Sequence, residues 1–145
     1  MTRVMGVDLG TKRTGVAIST AGVAHPLVVL ETTDDLVDRL ADLVREHGAS
    51  EVVVGNPLRL DGSQGPGTVL ARMVSDSLGA ATGARVVLWD ERLTTAAAER
   101  SLLGAGVRRR RRREVVDKVA AAVLLQGYLD ARGARGERGG EGSAP

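Results

Sequence analysis

Residues 4–19 read VMGVDLGTKRTGVAIS and carry two strand patterns separated by a turn that contains glycine. The first strand is predicted over Arg3–Asp8 and the second over Thr14–Ser19. A third strand is predicted over Val23–Leu30. Pro26 places this third strand at an edge of the sheet, because proline cannot donate a hydrogen bond to a ladder. The chain therefore opens with a predicted three-stranded antiparallel meander.

The rest of the chain alternates helix and strand patterns. The predicted elements are a helix capped by Thr32–Asp35 and ended by Gly48, a strand Glu51–Val54, a loop 55–67, a helix 68–82, a strand 85–90, a helix 94–103, a basic loop Gly104–Arg113 and a final helix Glu114–Ala131. This order predicts an α/β fold with one mixed sheet and helices on both faces. After Gly133 the composition turns to Gly, Arg, Glu and Ser, which predicts one domain over 1–132 and a disordered tail over 133–145.

The composition is that of a globular protein and excludes several kinds of chemistry. The chain has 145 residues, 43% of them hydrophobic, and no cysteine, which excludes disulfides, iron–sulfur clusters and thiol catalysis. The longest apolar run, Val119–Leu125, is far shorter than a membrane span, and the N-terminus shows no signal pattern, so we expect a cytoplasmic protein without a membrane partner. Because Trp89 and Tyr128 are the only aromatic residues, we do not expect single strands to be read by stacking on aromatic side chains.

The charge is polarised along the chain. Residues 31–91 contain five arginines against eleven acidic residues (net −6), whereas residues 92–118 contain nine basic residues against three acidic ones (net +6). The basic segment includes six consecutive arginines: Arg108, Arg109, Arg110, Arg111, Arg112 and Arg113. A solvated basic loop is one interpretation. The other is a phosphate-binding segment for nucleic acid, which would supply affinity without base specificity.

Four acidic residues end or begin apolar elements instead of lining a solvated helix face. Asp8 ends the first strand, Asp90 and Glu91 end strand 85–90, and Asp117 lies in the first turn of the final helix. Each alone is compatible with an ordinary acid at an element terminus. If Asp8, Glu91 and Asp117 meet at one sheet edge, two charges about 4 Å apart repel by about 4 kcal/mol at an effective dielectric of about 20. Such a cluster requires a shared proton or a cation, and oxygen ligands favour Mg²⁺ or Mn²⁺.

The turn that follows Asp8 is a candidate phosphate site. Gly10, Thr11 and Lys12 place backbone N–H groups and an ammonium group next to the acid. A turn of this kind can hold a phosphate while the acid holds a metal ion. The spacing does not match a Walker A loop, and a plain hairpin turn explains the glycine equally well.

Four longer motifs occur in order along the chain: VMGVDLGTKRTGVAIS (4–19), VVVGNPLRLDGSQGP (52–66), DERLTT (90–95) and VDKVAAAVLLQGYLD (116–130). In these motifs the chain resembles the YqgF/RuvX family of Holliday-junction-resolvase-like proteins, over about residues 3–131. The resemblance implies a ribonuclease-H-like fold with a five-stranded mixed sheet in the order 3-2-1-4-5. It also implies a metal-dependent nuclease, a hydrolase that acts on phosphodiester bonds.

The resemblance further implies roles for individual residues. The acids that match the catalytic and metal-binding positions are Asp8, Glu91 and Asp117, with one or two Mg²⁺ or Mn²⁺ ions as cofactor. The neighbouring basic positions are Lys12, Arg92 and Lys118, and the residues that flank the site are Asp61 and Asp90. The chain departs from the family pattern after the second strand, where Ser19-Thr20 stands in place of Ser-Asp.

The sequence thus leads to the hypothesis of a nuclease that processes the 5′ end of pre-16S rRNA in ribosome biogenesis, with ribosomal precursor particles as partners. One alternative is a Holliday-junction or branched-DNA resolvase, or an exonuclease, in DNA repair, acting on branched or single-stranded DNA. Another is a non-catalytic nucleic-acid-binding factor in ribosome assembly. A kinase or ATPase of the actin-like class shares the Asp-x-Gly-Thr opening but is far longer than this chain. The sequence leaves open RNA or DNA, endo- or exonuclease, monomer or homodimer, and Asp90 or Glu91 as second ligand.

Overall fold

The computed structural model describes residues 2–57, 61, 63–90 and 109–139, and in the last helix it describes the side chains of residues 118–133. The elements in chain order are β1 (Arg3–Asp8), β2 (Arg13–Thr20), β3 (Val23–Glu31), α1 (Leu36–His47), β4 (Ala49–Asn56), α2 (Pro66–Thr82), β5 (Arg85–Asp90) and α3 (Arg109–Gly139). Within the described ranges, no helix is long and apolar enough to span a membrane.

The five strands form one mixed sheet in the order β3-β2-β1-β4-β5. Strand β2 pairs antiparallel with β1 and β3, and β4 pairs in parallel with β1 and β5. The predicted meander and the strand order implied by the resemblance are therefore confirmed. Pro26 lies on the edge strand β3, as predicted, beside a bulge at Val16–Ala17 that interrupts the ladder.

The two faces of the sheet pack against different helices, because successive side chains of a strand point to opposite faces. The core shared with α1 and α2 includes Met5, Val7, Leu40, Val52, Val54 and Leu78. The core shared with α3 includes Val4, Ala17, Val53, Ala121, Leu125 and Tyr128. Helices cover both faces, as the alternating pattern predicted.

The ends of α1 and α2 follow from the local sequence. Gly48 ends α1 and Gly83 ends α2, each in the left-handed conformation that glycine adopts without steric cost (φ 64° and 75°). At the start of α1, Asp35 occupies the N-cap position but makes no side-chain capping hydrogen bond. Its carboxylate accepts a hydrogen bond from the Thr33 hydroxyl instead, so the predicted cap is correct in position and wrong in its bonding.

Helix α3 lies unusually close to β1, and Gly6 makes this approach possible. A Cβ atom placed on Gly6 would lie 2.8 Å from the Leu125 Cβ and 3.2 Å from the Ala121 carbonyl oxygen. Both distances are shorter than a side chain tolerates without movement of the helix. The hydrogen at Gly6 therefore sets the distance between the helix and the sheet.

The carboxyl-terminal half of α3 is fixed by a buried acid at the start of β4. The Glu51 carboxylate is buried and accepts hydrogen bonds from the Tyr128 hydroxyl (3.1 Å) and the Arg132 guanidinium. A guanidinium nitrogen of Arg85, at the start of β5, lies 3.5 Å from Glu51 Oε2. A buried carboxylate needs such partners to remain charged, so these contacts join α3 to β4 and β5.

Two predictions about the end of the chain are wrong. The basic loop was predicted to reach Arg113 and the final helix to end at Ala131, whereas α3 begins at Arg109 and continues to Gly139. Arginine has a high helix propensity, and the prediction gave more weight to repulsion among the arginines and to the helix dipole. The predicted helix 94–103 lies outside the described residues, and the division into a domain and a tail stays a prediction.

Substitution of Gly6 by alanine tests the close approach of α3. The added methyl group would collide with Leu125, so we expect the free energy of unfolding to fall by about 1–3 kcal/mol in urea denaturation. Gly133→Ala is the matched control, because nothing lies within 4 Å of a Cβ at that helical position. The control is expected to keep or slightly raise the stability. Equal stability of Gly6→Ala and the wild type would contradict this packing.

Titration of the single tyrosine tests the Glu51 cluster. Burial, followed by the charge and hydrogen bond of Glu51, raises the pKa of Tyr128 above its ordinary value of 10.0, and Arg132 and Arg85 offset part of this rise. Tyrosinate absorbance of the folded protein is therefore expected to develop above pH 10.0, and Glu51→Gln to move its midpoint downward.

The same shift has a consequence for stability. Above pH 10.0 the unfolded chain ionises its tyrosine before the folded protein does, so the free energy of unfolding is expected to fall as pH rises through this range. The Tyr128→Phe variant should not show this part of the fall in the free energy of unfolding. A midpoint at or below 10.0 in the folded wild type would refute the described contacts.

Candidate active site

Asp8 is the described member of the predicted acid cluster, and its neighbours on the two adjacent strands are glycines. It is the last residue of β1, half-buried, and lies on the face covered by α3, the same face as Gly6. Its partner on β2 is Gly15. On β4, the parallel neighbour on the other side, Val54 pairs with Val7, and the residue that follows Val54 is Gly55. The carboxylate thus lies between two strand positions that carry no side chain.

The orientation of α3 brings Asp117 to the same edge of the sheet. At one end of the helix, Tyr128 bonds to Glu51 where β4 begins. Toward the other end, Lys118 lines an open cavity together with Arg13 and Glu31, where β2 begins and β3 ends, and this is the edge at which β1 stops. Ala121 lies against Gly6, and both acids can be located from this contact. Asp8 is two residues after Gly6, about 7 Å along β1. The Asp117 backbone is four residues before Ala121, about 6 Å along the helix axis. The Asp117 side chain lies outside the described residues.

The pleat of β5 separates Asp90 from Asp8. Val86 and Leu88 pack on the α1 and α2 side, whereas Val87 and Trp89 pack on the α3 side. Asp90 is the next residue, so it lies on the α1 and α2 side, opposite the face of Asp8, where it pairs with Asn56. Glu91 and Arg92 lie outside the described residues.

The turn after β1 is held in one conformation by Thr32. The Thr32 hydroxyl donates to the Gly10 carbonyl (2.8 Å) and shares a hydrogen bond with the Thr14 hydroxyl (2.8 Å). The Thr32 amide donates to the Lys12 carbonyl (2.9 Å). A Cβ on Gly10 would lie 2.4 Å from the Arg13 carbonyl oxygen, so this position requires glycine. The structure thus fixes the predicted phosphate turn and leaves Thr11 and Lys12 exposed.

Sequence reasoning missed the role of Thr32 and placed it in a helix cap. The relevant signal was its position directly after the edge strand, where a hydroxyl can reach a turn between two other strands. Arg13 was also not singled out. With Lys118 and Glu31, it lines an open cavity of about 330 Å³ between α3 and the edge strand β3.

The remaining predicted site residues are placed in part. The backbones of Arg109 to Arg113 form the first turns of α3, so these residues begin the helix that carries Asp117 and do not form a loop. Arg108 lies outside the described residues. Asp61 is exposed, and its carboxylate accepts a hydrogen bond from the Ser63 amide (2.8 Å), which closes a tight turn in the loop after β4.

The donor chemistry at this edge fits a hard divalent cation. Asp8 offers carboxylate oxygens beside a glycine of β2, and oxygen is the ligand that Mg²⁺ and Mn²⁺ prefer. Among the residues with described side chains, no three His, Asp or Glu residues form a cluster. Glu91 and Asp117, the other two predicted ligands, are not among them.

Comparison with known proteins identifies the family of this chain. Residues 2–131 match the RuvX family model, described as Holliday junction resolvase. The chain is 49% identical over 133 residues to the "Putative pre-16S rRNA nuclease" of Myxococcus xanthus, a match that covers 89% of this chain and 88% of that one. It is 43% identical over 145 residues to the protein of the same name from Pelotomaculum thermopropionicum, a match that covers 96% of this chain and 94% of that one.

Two solved structures share the fold. The Thermus thermophilus RuvC in complex with a Holliday junction substrate gives a TM-score of 0.57 at 18% identity and covers 91% of this chain and 96% of that one. The fowlpox virus Holliday junction resolvase gives a TM-score of 0.56 at 12% identity, and the match covers 90% of this chain and 99% of that one. With the fold and the motifs both matched, the chain belongs to the RuvX family of Holliday junction resolvases and is a nuclease, a hydrolase of phosphodiester bonds.

Proposed function

We propose that this nuclease acts on pre-16S rRNA, with Asp8, Glu91 and Asp117 as its catalytic acids and one or two Mg²⁺ or Mn²⁺ ions as cofactor. The observation that carries the proposal is the position of Asp8: a half-buried carboxylate between two glycine positions, on the face and at the edge to which α3 brings Asp117. A bound divalent cation supplies Lewis-acid stabilisation of the negative charge that develops during phosphodiester hydrolysis.

The chain's own groups bind and orient the substrate. The exposed Lys12, on a turn fixed by Thr32, neutralises a backbone phosphate close to Asp8. Gly10 and Thr11 supply backbone N–H groups in the same turn. Lys118 and the arginines that begin α3 add positive charge from the helix that carries Asp117. These contacts address phosphates, so they provide affinity without selecting a base sequence.

The names of the relatives favour RNA as substrate, and the RuvX family description favours a second candidate, cleavage of branched DNA. Both substrates present the same phosphates to the same acids, so the proposed chemistry does not depend on the choice. We place the protein in the cytoplasm, where precursor ribosomal particles would be its partners. A binding factor without turnover is the remaining alternative, and it would not need the acid cluster.

The Asp8→Asn variant tests the catalytic proposal. Cleavage of a panel of labelled precursor rRNA ends, single strands and four-way junctions in Mg²⁺ or Mn²⁺ is expected to fall by at least about 100-fold, since even outer-shell metal partners contribute 10–100-fold. Binding of the same nucleic acids should be kept. Asp76→Asn, an exposed acid on α2 on the other side of the sheet, is the matched control and should cleave normally. Normal turnover by Asp8→Asn would overturn the proposal.

A second pair of variants separates the two acids at the end of β5. Because Asp90 lies on the α1 and α2 side, Asp90→Asn should retain cleavage to within a few-fold, whereas Glu91→Gln should lose it as completely as Asp8→Asn. The measurement is the single-turnover rate on the best substrate of the panel. The reverse result, with Glu91→Gln active and Asp90→Asn inactive, would show that the strand changes its register at this edge.

A further inference from the structure

A second concave surface lies along the outer strand β5. It is an open groove of about 320 Å³ between β5 and the carboxyl-terminal half of α3, lined by Arg85, Val87, Leu88, Trp89, Tyr128 and Arg132. Its volume is at the lower end of the range for ligand pockets. The groove contains both aromatic residues of the chain, with ring centroids 5.3 Å apart at an angle of 86°. Neither its arginines nor its aromatic pair takes part in the proposed catalysis.

The two arginines of the groove are held in place by one buried acid. The Glu51 carboxylate contacts one guanidinium nitrogen of Arg85 and one of Arg132, although these side chains are 74% and 51% exposed. A guanidinium group has five N–H donors, so most donors of both groups stay available in the part of the chain that the structure describes. Two positive charges against one negative charge leave the cluster net positive. Fixed, partly exposed guanidinium groups of this kind suit phosphate.

One end of the groove lies beside the proposed catalytic edge. Strand β5 begins at Arg85 and ends at Asp90, directly before Glu91, and Trp89 lies on the α3 side next to that end. At about 3.3 Å per residue, Arg85 lies about 17 Å from the edge. A nucleic-acid strand that occupies the edge can therefore extend along the groove.

We propose that the groove binds a single-stranded segment of the substrate beyond the cleaved bond, with phosphates on Arg85 and Arg132 and a base or sugar against Trp89. The inference rests on the proposed nuclease function and adds a requirement for substrate length. Aromatic surface combined with arginine is the usual composition of single-strand sites. The sequence argued against stacking because the chain has only two aromatic residues. The structure places both of them in one groove beside two arginines, and because Tyr128 is buried, Trp89 is the ring that a base or sugar would contact.

The test uses Trp89 as an intrinsic probe, since it is the only tryptophan of the chain. Fluorescence is followed while the full-length protein, in EDTA, is titrated with a single-stranded RNA or DNA oligonucleotide of about ten nucleotides, within the size range of known single-strand sites. A dinucleotide is titrated in parallel. We expect the longer strand to change the Trp89 emission and the dinucleotide to leave it unchanged at equal nucleotide concentration. A binding signal in anisotropy without any change at Trp89 would overturn the proposal.

Arg85 is the residue to vary, because its removal leaves Glu51 with Tyr128 and Arg132. Arg85→Ala should weaken binding of the longer strand about fivefold and reduce the slope of log Kd against log salt by about 1, while Arg85→Lys should recover part of the affinity. The matched control is Arg45→Ala on α1, which removes an arginine that is 60% exposed and also paired with an acid, Asp42, on the other face. Equal effects of Arg85→Ala and Arg45→Ala would overturn the proposal. Urea denaturation verifies that each variant is folded.

Two further outcomes separate this inference from the proposed function. Because the titration is done in EDTA, it does not require turnover. If metal-dependent cleavage is intact and Trp89 does not respond, the groove is excluded as a binding site and the nuclease function is unaffected. A response to an acidic peptide as strong as that to an oligonucleotide of equal charge would also overturn the assignment, in favour of a protein partner on the outer strand β5.

Discussion

The close contact between Gly6 and α3 is the constraint on which the rest of the structure depends. With only a hydrogen at this position, the helix backbone at Ala121 and the Leu125 Cβ come down onto β1. Asp8 and the Asp117 backbone both lie within about 7 Å of this contact, one along the strand and one along the helix. A shift of the helix at Gly6 would therefore change the distance between two of the three acids in the proposed site. The packing of the core and the geometry of the site are set by the same contact.

The Glu51 cluster acts at the other end of the same helix. A buried carboxylate with its ion-pair partners is often no more stabilising than apolar side chains in the same place. The contribution of Glu51 is therefore to fix one position of α3 relative to the sheet. The Tyr128 hydroxyl and Arg132 reach Glu51 in one register of α3 only, because a shift by one residue would turn both away from the start of β4. Two fixed points, Gly6 and Glu51, leave the helix little freedom to rotate or slide. The same acid orients the arginines of the β5 groove.

The sequence was most informative where one periodicity dominates. The bounds of β1 and β5 agree with the prediction to the residue, because each is an apolar run bounded by a turn or a charged residue. Glu51 was read as the first residue of an apolar strand, and its buried contacts depend on residues 77 and 81 positions away in the chain. No local pattern carries that information. Thr32 was missed for the same reason, since its partners belong to a turn twenty residues earlier.

The arginines at the start of α3 bear on how the proposed nuclease would choose its cleavage site. Positive charge at a helix N-terminus opposes the helix dipole, and five arginines there repel one another, so an anion bound close to them would stabilise the arrangement. Contacts with phosphates do not distinguish one base sequence from another. The chain also offers few aromatic side chains for reading unpaired bases. Selection of a cleavage site would then depend on the shape and length of the substrate: a phosphodiester must reach Asp8 while the flanking strand follows a surface whose charges are held by Thr32, α3 and Glu51.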